Sequence, residues 1–515
     1  MKILPRISTP LLLVVAVLST GPGGARASSG VSEADRDIRR PADSGHSRAV
    51  VDYVEATPDP DYWHASVEAY EAFHDLKFGV RIHWGLYSIW NLQNESWPFL
   101  RMSNEERARY QELYREWNPT GFDAEEWVTI FKDAGMTFFT FTSKHHEGFS
   151  MFNTATRVKQ RVNWNAPGGP RLEACDLAYG IMETPFHRDI VGELVAAAHR
   201  HNLKIDLYYS LPDWYDADFR PYAAHPLQIP DMATWAPHDV SWTLNRFNAD
   251  HMPDIVPNPT PEEEARMMTR LHDQLIELIT KYGKVDMIGL DMWLGPRAWP
   301  KLKETIKEVR RREPDIMLRA RGIGNYGDYF TPERFVPGDK QNTGMPWFVI
   351  YPLARSFSYD PEASNYKGAE WIIHTLVDSV AKGGNFEIGI GPDAMGRFHP
   401  EAVSQMKEAG RWLAINGEAI YGTRPRPGAH WRDGENVRYT RTKTSGIVYA
   451  ICLEWPAGRE LVLHDISIDP GSEIVLIGRP GAVPWRAEGR DAMLNIDAVR
   501  PRTESLAYVF EIHGN

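Results

Sequence analysis

The stretch Met136-Thr-Phe-Phe-Thr-Phe-Thr-Ser-Lys-His-His-Glu-Gly148 constrains the fold more than any other part of the chain. A run of β-branched and aromatic residues stops on Lys144, His145 and His146, then turns at Gly148. Such a run reads as a buried strand. A strand that ends on imidazoles points polar groups out of its C-terminal end, which in an α/β barrel is where ligands bind and react. One histidine could be structural and the other solvated, but the pattern recurs. Lys77–Trp84 ends on His83 and Trp84, Leu203–Ser210 carries Tyr208 and Tyr209, Val285–Asp291 ends on Asp291, and Asp315–Arg321 carries Arg319 and Arg321. Burying such groups separately would cost kcal/mol each, whereas one shared polar pocket satisfies them together.

Between these strands lie segments with helical periodicity. Phe122–Gly135 has Asp123 as its N-cap and Gly135 as its stop. Thr260-Pro-Glu-Glu opens a long helix with a capping-box pattern and proline at its first position. Asp189–His201, Pro300–Arg312, Ala369–Lys382 and Pro400–Asn416 continue the series, with Asn385–Ile390 a further strand. Alternation at this rhythm predicts an irregular (β/α)8-like, TIM-type barrel over 51–422. From 423 to 515 the character changes to short β-rich runs separated by Gly, Pro and Asp, which predict a C-terminal antiparallel β-sandwich. Two long connections, Glu147–Phe186 and Leu211–Pro259, follow strand ends and are expected to wall the site.

The N-terminus reads as a secretory signal over 1–27. Lys2 and Arg6 precede the apolar run Pro10–Leu18, and Ala25-Arg26-Ala27 offers a cleavage site. Residues 28–50 read as a disordered leader, so export after cleavage near Ala27 is expected. No second stretch is long enough to span a membrane. The net charge of −12 gives no electrostatic case for nucleic acid. The two cysteines, Cys175 and Cys452, fall in different expected domains, which disfavours a disulfide between them. No Cys/His spacing suggests zinc, and neither metal nor cofactor is expected. The sequence leaves the oligomeric state open.

Asp291 ends an apolar strand, where a carboxylate can act as nucleophile or base; it could also cap the following helix. Glu333, in Tyr329-Phe-Thr-Pro-Glu, follows the Arg321 strand; by pattern alone it is a solvated glutamate after proline. Two carboxylates facing one sugar would suit glycoside hydrolysis.

These residues resemble the α-L-fucosidases of glycoside hydrolase family 29, from about Tyr62 to the C-terminus. The matching motifs include Lys77-Phe-Gly-Val-Arg-Ile-His-Trp-Gly85, Lys144-His-His-Glu-Gly148, Leu207-Tyr-Tyr-Ser-Leu-Pro-Asp-Trp214 and Gly327-Asp-Tyr-Phe-Thr-Pro-Glu333. The resemblance implies a retaining exo-α-L-glycosidase acting on an oligosaccharide or glycan, with Asp291 as nucleophile and Glu333 as acid/base. It implies that His83, His145, His146, Tyr209 and Arg321 bind the sugar or brace the nucleophile, and that Glu95 and Trp97 read ring hydroxyls.

The chain departs from the family at several points. Gly289-Leu-Asp-Met292 stands where the family has Trp-Phe-Asp-Gly, which is expected to open space beside the reacting centre. Arg81 replaces an apolar residue expected beside the fucose methyl, and Arg355 lies near Phe357, the match to a pocket aromatic. A guanidinium there would favour oxygen at C6, so α-L-galactosides (6-sulfated ones included) and α-L-glucosides are the alternative substrates. Arg81 could instead pair with a carboxylate and point away from the sugar. A sugar-binding protein without catalysis is the remaining alternative.

Overall fold

The computed structural model describes residues 55 and 57–513, except 221–224, 229–256, 296, 338–344, 428–429, 445 and 467. The expected signal and leader, and much of the connection Leu211–Pro259, lie outside the described residues.

Seven strands build the main sheet: β1 (Phe78–Ile82), β2 (Phe138–Lys144), β5 (Lys204–Ser210), β6 (Met287–Asp291), β7 (Met317–Leu318), β8 (Phe348–Pro352) and β9 (Asn385–Ile390). Between β2 and β5 a hairpin, β3 (Val158–Asn163) and β4 (Arg171–Leu177), fills part of the first long connection. The sheet order is β7-β6-β5-β2-β1-β9-β8, and every pairing is parallel. Parallel neighbours require crossovers, supplied here by helices. α1 (Val67–His74) precedes β1, while α2 (Asn104–Tyr110) and α3 (Ala124–Asp133) follow it. α4 (Ile190–Arg200), α5 (Pro261–Thr280), α6 (Trp299–Arg312), α7 (Ala369–Ala381) and α8 (Pro400–Asn416) complete the set among the described residues. The expected caps form: Asp123 accepts from the Glu125 and Glu126 N–H groups, and Thr260 and Glu263 make a reciprocal capping box.

The expected eighth strand is an irregular segment, Asp328–Arg334. It bonds to β7 on one side (Asp328 N–H to Leu318 O, 2.7 Å) and to β8 on the other (Ile350 N–H to Pro332 O and Arg334 N–H to Ile350 O, both 2.9 Å). Buried Asp328 anchors it by accepting from the Leu318 N–H at 2.8 Å and from the Arg310 guanidinium. The curled sheet is thus linked edge to edge by the segment that carries Glu333.

Strand alternation divides the residues of each strand. Val80, Phe139, Leu207, Ile288, Leu290 and Ile388 pack against the helices. The opposite parity faces the interior, where an apolar floor of Phe138, Met287, Met317 and Phe348 is sealed by Phe73 and Leu76 at α1.

Beyond Gly422 the chain forms β10 (Thr423–Pro425), β11 (Arg432–Asp433), β12 (Val437–Thr442), β13 (Ile447–Cys452), β14 (Glu460–Leu463), β15 (Ile474–Leu476), β16 (Trp485–Glu488), β17 (Asp491–Asn495) and β18 (Tyr508–His513). They make two antiparallel sheets, β10-β12-β13-β18-β15 with β11 on β12, and β14-β17-β16. A core that includes Tyr439, Ile474, Phe510, Leu463 and Leu494 lies within this unit. It docks on the barrel helices through Arg438 Nε to Asp378 (2.6 Å) and Trp412 Nε1 to Ala507 O (2.9 Å). Both thiols, Cys175 and Cys452, are free.

Candidate active site

Asp291 is the last residue of β6, and Met292 after it is left-handed at φ +67°, which breaks the strand there. The Asp291 carboxylate faces the barrel interior at its C-terminal end. Its Oδ2 accepts from the Tyr208 hydroxyl at 2.6 Å, and its Oδ1 accepts from Arg321 Nη1 at 3.4 Å. His146 Nε2 lies 3.7 Å from Oδ2. The other end of the Arg321 guanidinium donates to Glu333 Oε2 at 3.1 Å and to Thr331 O at 2.8 Å. One planar cation therefore spans the two carboxylates. Burial alone would raise the Asp291 pKa, but the Arg321 and Arg319 charges, His146 and the Tyr208 hydrogen bond hold it far below the carboxylate range.

The histidines surround this pair. His145 Nδ1 is 2.5 Å from Ser96 Oγ, and the His145 ring stacks parallel to Tyr208 at 5.8 Å. The His83 ring lies 5.9 Å from His145 and 5.1 Å from Phe357. His146 packs between Trp97 (4.8 Å) and Trp214 (5.2 Å). Burial, helped by neighbouring cations, pushes His83 and His146 well below the usual histidine range. This favours the neutral form of each ring, which can both donate and accept toward hydroxyls. The loop carrying His145 and His146 turns at Gly148 (φ +85°), where a Cβ would lie 2.1 Å from Asp213 Oδ1, so only glycine fits.

Glu95 completes the rim. Asn94 and Glu95 are both left-handed (φ +65° and +54°), as is Arg334 beside Glu333 (φ +63°). Non-glycine residues rarely adopt this conformation, and it clusters at functional sites. Glu95 Oε1 accepts from the Ser358 N–H at 3.2 Å. Burial, with repulsion from Glu333, pushes Glu95 up to about 7 despite the opposing pull of His145. Arg334 lies 5.2 Å above the Phe357 ring and 3.8 Å from Glu333.

The structure brings Asp291, Glu333, Arg321, His83, His145, His146, Glu95, Trp97 and Phe357 together, and corrects three expectations. Tyr209 is not at the site: it faces the helices and its hydroxyl donates to Gln274 Oε1 at 2.7 Å. Tyr208 takes the place next to Asp291, because alternate residues of a strand face opposite ways. The inward parity of Asp206 within Leu203–Ser210 was the available signal. Arg81 lies a layer below, fully buried, with its Nε donating to Glu387 Oε2 at 2.9 Å. The space expected at Gly289 is filled: a Cβ there would lie 3.0 Å from Asp206 Oδ1 and 3.3 Å from Arg319 Nη2. Ser96, which separates Glu95 from Trp97, has a use of its own as the partner of His145. Arg355 is exposed.

Two carboxylates joined across the C-terminal end of a (β/α) barrel, ringed by imidazoles and aromatic rings, define a glycoside hydrolase. Comparison with known proteins narrows the class. The Alpha-L-fucosidase family model matches residues 55–418, and the model of the Alpha-L-fucosidase C-terminal domain matches 433–513. The chain belongs to the α-L-fucosidases of glycoside hydrolase family 29. It is 28% identical to the Alpha-L-fucosidase of Dictyostelium discoideum over 471 residues, covering 85% of this chain and 91% of the relative. It is also 28% identical to the human Tissue alpha-L-fucosidase over 442 residues, covering 81% and 82%. In fold it is similar to Alpha-L-fucosidase isoenzyme 1 from Paenibacillus thiaminolyticus (TM-score 0.69, 24% identity, 87% of this chain and 99% of that one). It is likewise similar to a GH29 α-L-fucosidase from Bacteroides thetaiotaomicron, a trapped covalent intermediate in complex with 2-fluoro-fucosyl fluoride (TM-score 0.68, 21% identity, 89% and 98%).

Proposed function

We propose that this chain is a retaining exo-α-L-fucosidase, and that it removes terminal α-L-fucosyl residues from glycans by double displacement. Asp291 attacks the anomeric carbon and forms a glycosyl-enzyme ester as the glycosidic bond breaks. Glu333 gives its proton to the departing oxygen. A water molecule then enters; Glu333 takes its proton, the hydroxyl adds to the anomeric carbon, and Asp291 leaves as a carboxylate. Two inversions give net retention. Arg321 and Tyr208 hold Asp291 in place, His83, His145, His146 and Glu95 hydrogen-bond ring hydroxyls, and Trp97 and Phe357 give the sugar its apolar contacts. No step calls on a metal or a cofactor.

The observation that carries this reading is Arg321, whose guanidinium contacts both Asp291 and Glu333. Retention needs the two carboxyls only about 5–5.5 Å apart, and a shared guanidinium favours such closeness. The covalent intermediate captured in the Bacteroides relative supports the same chemistry. Among the alternative sugars, fucoside is favoured because Arg81, the residue that would favour oxygen at C6, is engaged with Glu387. We also read 51–422 as the catalytic unit, 423–515 as an accessory one, and the protein as exported after cleavage near Ala27. No helix among the described residues is long and apolar enough to cross a membrane.

Proton NMR of the first product from an aryl α-L-fucoside tests the proposal. Expected is the α-anomer of L-fucose before mutarotation, with turnover of the α-L-galactoside far slower. The β-anomer would overturn retention, and preference for the galactoside would overturn the substrate.

A further inference from the structure

The barrel interior holds a layer of charge between its apolar floor and the active site. Arg81 comes from β1, Thr140 from β2, Asp206 from β5, Glu387 from β9, Arg319 from just beyond β7, and Tyr329 from the closing segment. Arg81 pairs with Glu387, and the Thr140 hydroxyl lies between Glu387 and Asp206 Oδ2 (3.1 Å to the latter). The Tyr329 hydroxyl donates to Asp206 Oδ2 at 3.2 Å. All six side chains are buried. Barrel interiors are usually filled by branched apolar residues, and a buried ion network is weak evidence for stability.

What the layer delivers lies above it. Arg319 Nε donates to Leu290 O at 2.7 Å, and its Nη2 donates to Gly289 O at 2.6 Å. These are the two peptide carbonyls immediately before Asp291. In the β6–β7 ladder the Arg319 N–H bonds Ile288 O, so a longer β7 would give Leu290 O a main-chain donor. Here the Arg319 side chain takes it, and the main chain beyond is free to turn Arg321 toward Asp291. The Arg319 guanidinium also lies 4.8 Å from the centroid of the Tyr208 ring, whose hydroxyl bonds Asp291.

The geometry points to Arg319 as the positioning residue for the nucleophile, with Asp206, whose Oδ1 lies beside Gly289 on the same side as Arg319 Nη2, as the buried carboxylate next to it. Arg319 does not touch the sugar; it acts through the backbone of β6 and through Tyr208. This rests on Asp291 being the nucleophile.

The test is time-resolved labelling of the full chain with 2-fluoro-fucosyl fluoride, read by intact and peptide mass spectrometry. For Arg319→Gln, the expected result is complete labelling with little change in half-saturation and a rate constant about 10²-fold lower, the scale of a small misplacement of a reacting group. Arg319→Lys, which keeps the charge but not the fork, should recover part of that loss. If Arg319→Gln does not fold, Arg319→Lys and Asp206→Asn decide, each labelling completely but more slowly than the parent. The inference is overturned if the variants label at the parental rate while only the labelled fraction falls, because that is the signature of a purely structural role. A parent chain labelled somewhere other than Asp291 would instead break the reading of the nucleophile.

Discussion

The two ends of the barrel interior are built on the same strands and differ in almost everything else. At the floor, Phe138, Met287, Met317 and Phe348 pack against Phe73 and Leu76. Two residues further along these strands or their neighbours stand Thr140, Gly289, Arg319 and Ile350, and two further still Thr142, Asp291 and Arg321. The first set excludes water and supplies the apolar burial that stabilises the fold at roughly 25 cal/mol per Å². The upper sets carry buried charge that stability alone would not select, and they hold it in hydrogen-bonded geometry. One architecture thus divides stability and chemistry by depth along the strand, and substitutions at the two depths should separate the two properties.

The largest effect should come at the top. Asp291→Ala is expected to lower kcat on an aryl α-L-fucoside about 10³-fold or more while the thermal midpoint moves little. Glu333→Ala should follow, with a loss of about 10²–10⁴-fold on substrates whose leaving group needs a proton. The loss should be smaller for an activated aryl group, and a side-by-side rate comparison of the two substrates checks it. At the floor the pattern should reverse: Phe138→Ala should cost about 3–5 kcal/mol of stability in a denaturant titration, with kcat of the folded fraction close to the parent's.

The smallest effect is one of pH. Burial, with repulsion from Asp206, pushes Glu387 up to about 7 from an ordinary value of 4.5, although Arg81, Thr140 and Arg319 pull it down. The native state therefore binds this proton more tightly than the unfolded chain does. Its contribution is fully present below pH 4.5 and is lost as pH rises through about 7. Glu387→Gln should flatten the decline in melting temperature across that window, and an unchanged slope would show that Glu387 does not titrate there.

Much of this division was legible in the sequence, for reasons that particular residues make plain. Strands ending on His83, His145, Asp291 and Arg321 declare themselves because an apolar run that stops on a polar group buries that group at a cost unless a shared pocket receives it. Adjacent tyrosines at 208 and 209 do not, because choosing between them needs the phase of the strand. Arg81 was readable as an anomaly that a carboxylate could pair, but which carboxylate was not readable, since Glu387 lies 306 residues away. The closing segment Asp328–Arg334 has no strand periodicity; its order comes from hydrogen bonds to β7 and β8 and from Asp328, so Glu333 emerged only through resemblance to a family. In the C-terminal unit, β10, β11 and β16 were not legible because they are short and polar, paired by neighbours rather than by their own propensity.

The central claim is that Asp291 becomes covalently bonded to the sugar while Glu333 handles the proton across Arg321. Trapping the full-length chain with 2-fluoro-fucosyl fluoride and mapping the modified peptide addresses it most directly. A single 2-fluoro-fucosyl adduct on Asp291 is expected, formed in the parent with loss of fluoride and absent from Asp291→Ala. An adduct on any other side chain, or full hydrolytic activity in Asp291→Ala, would contradict it.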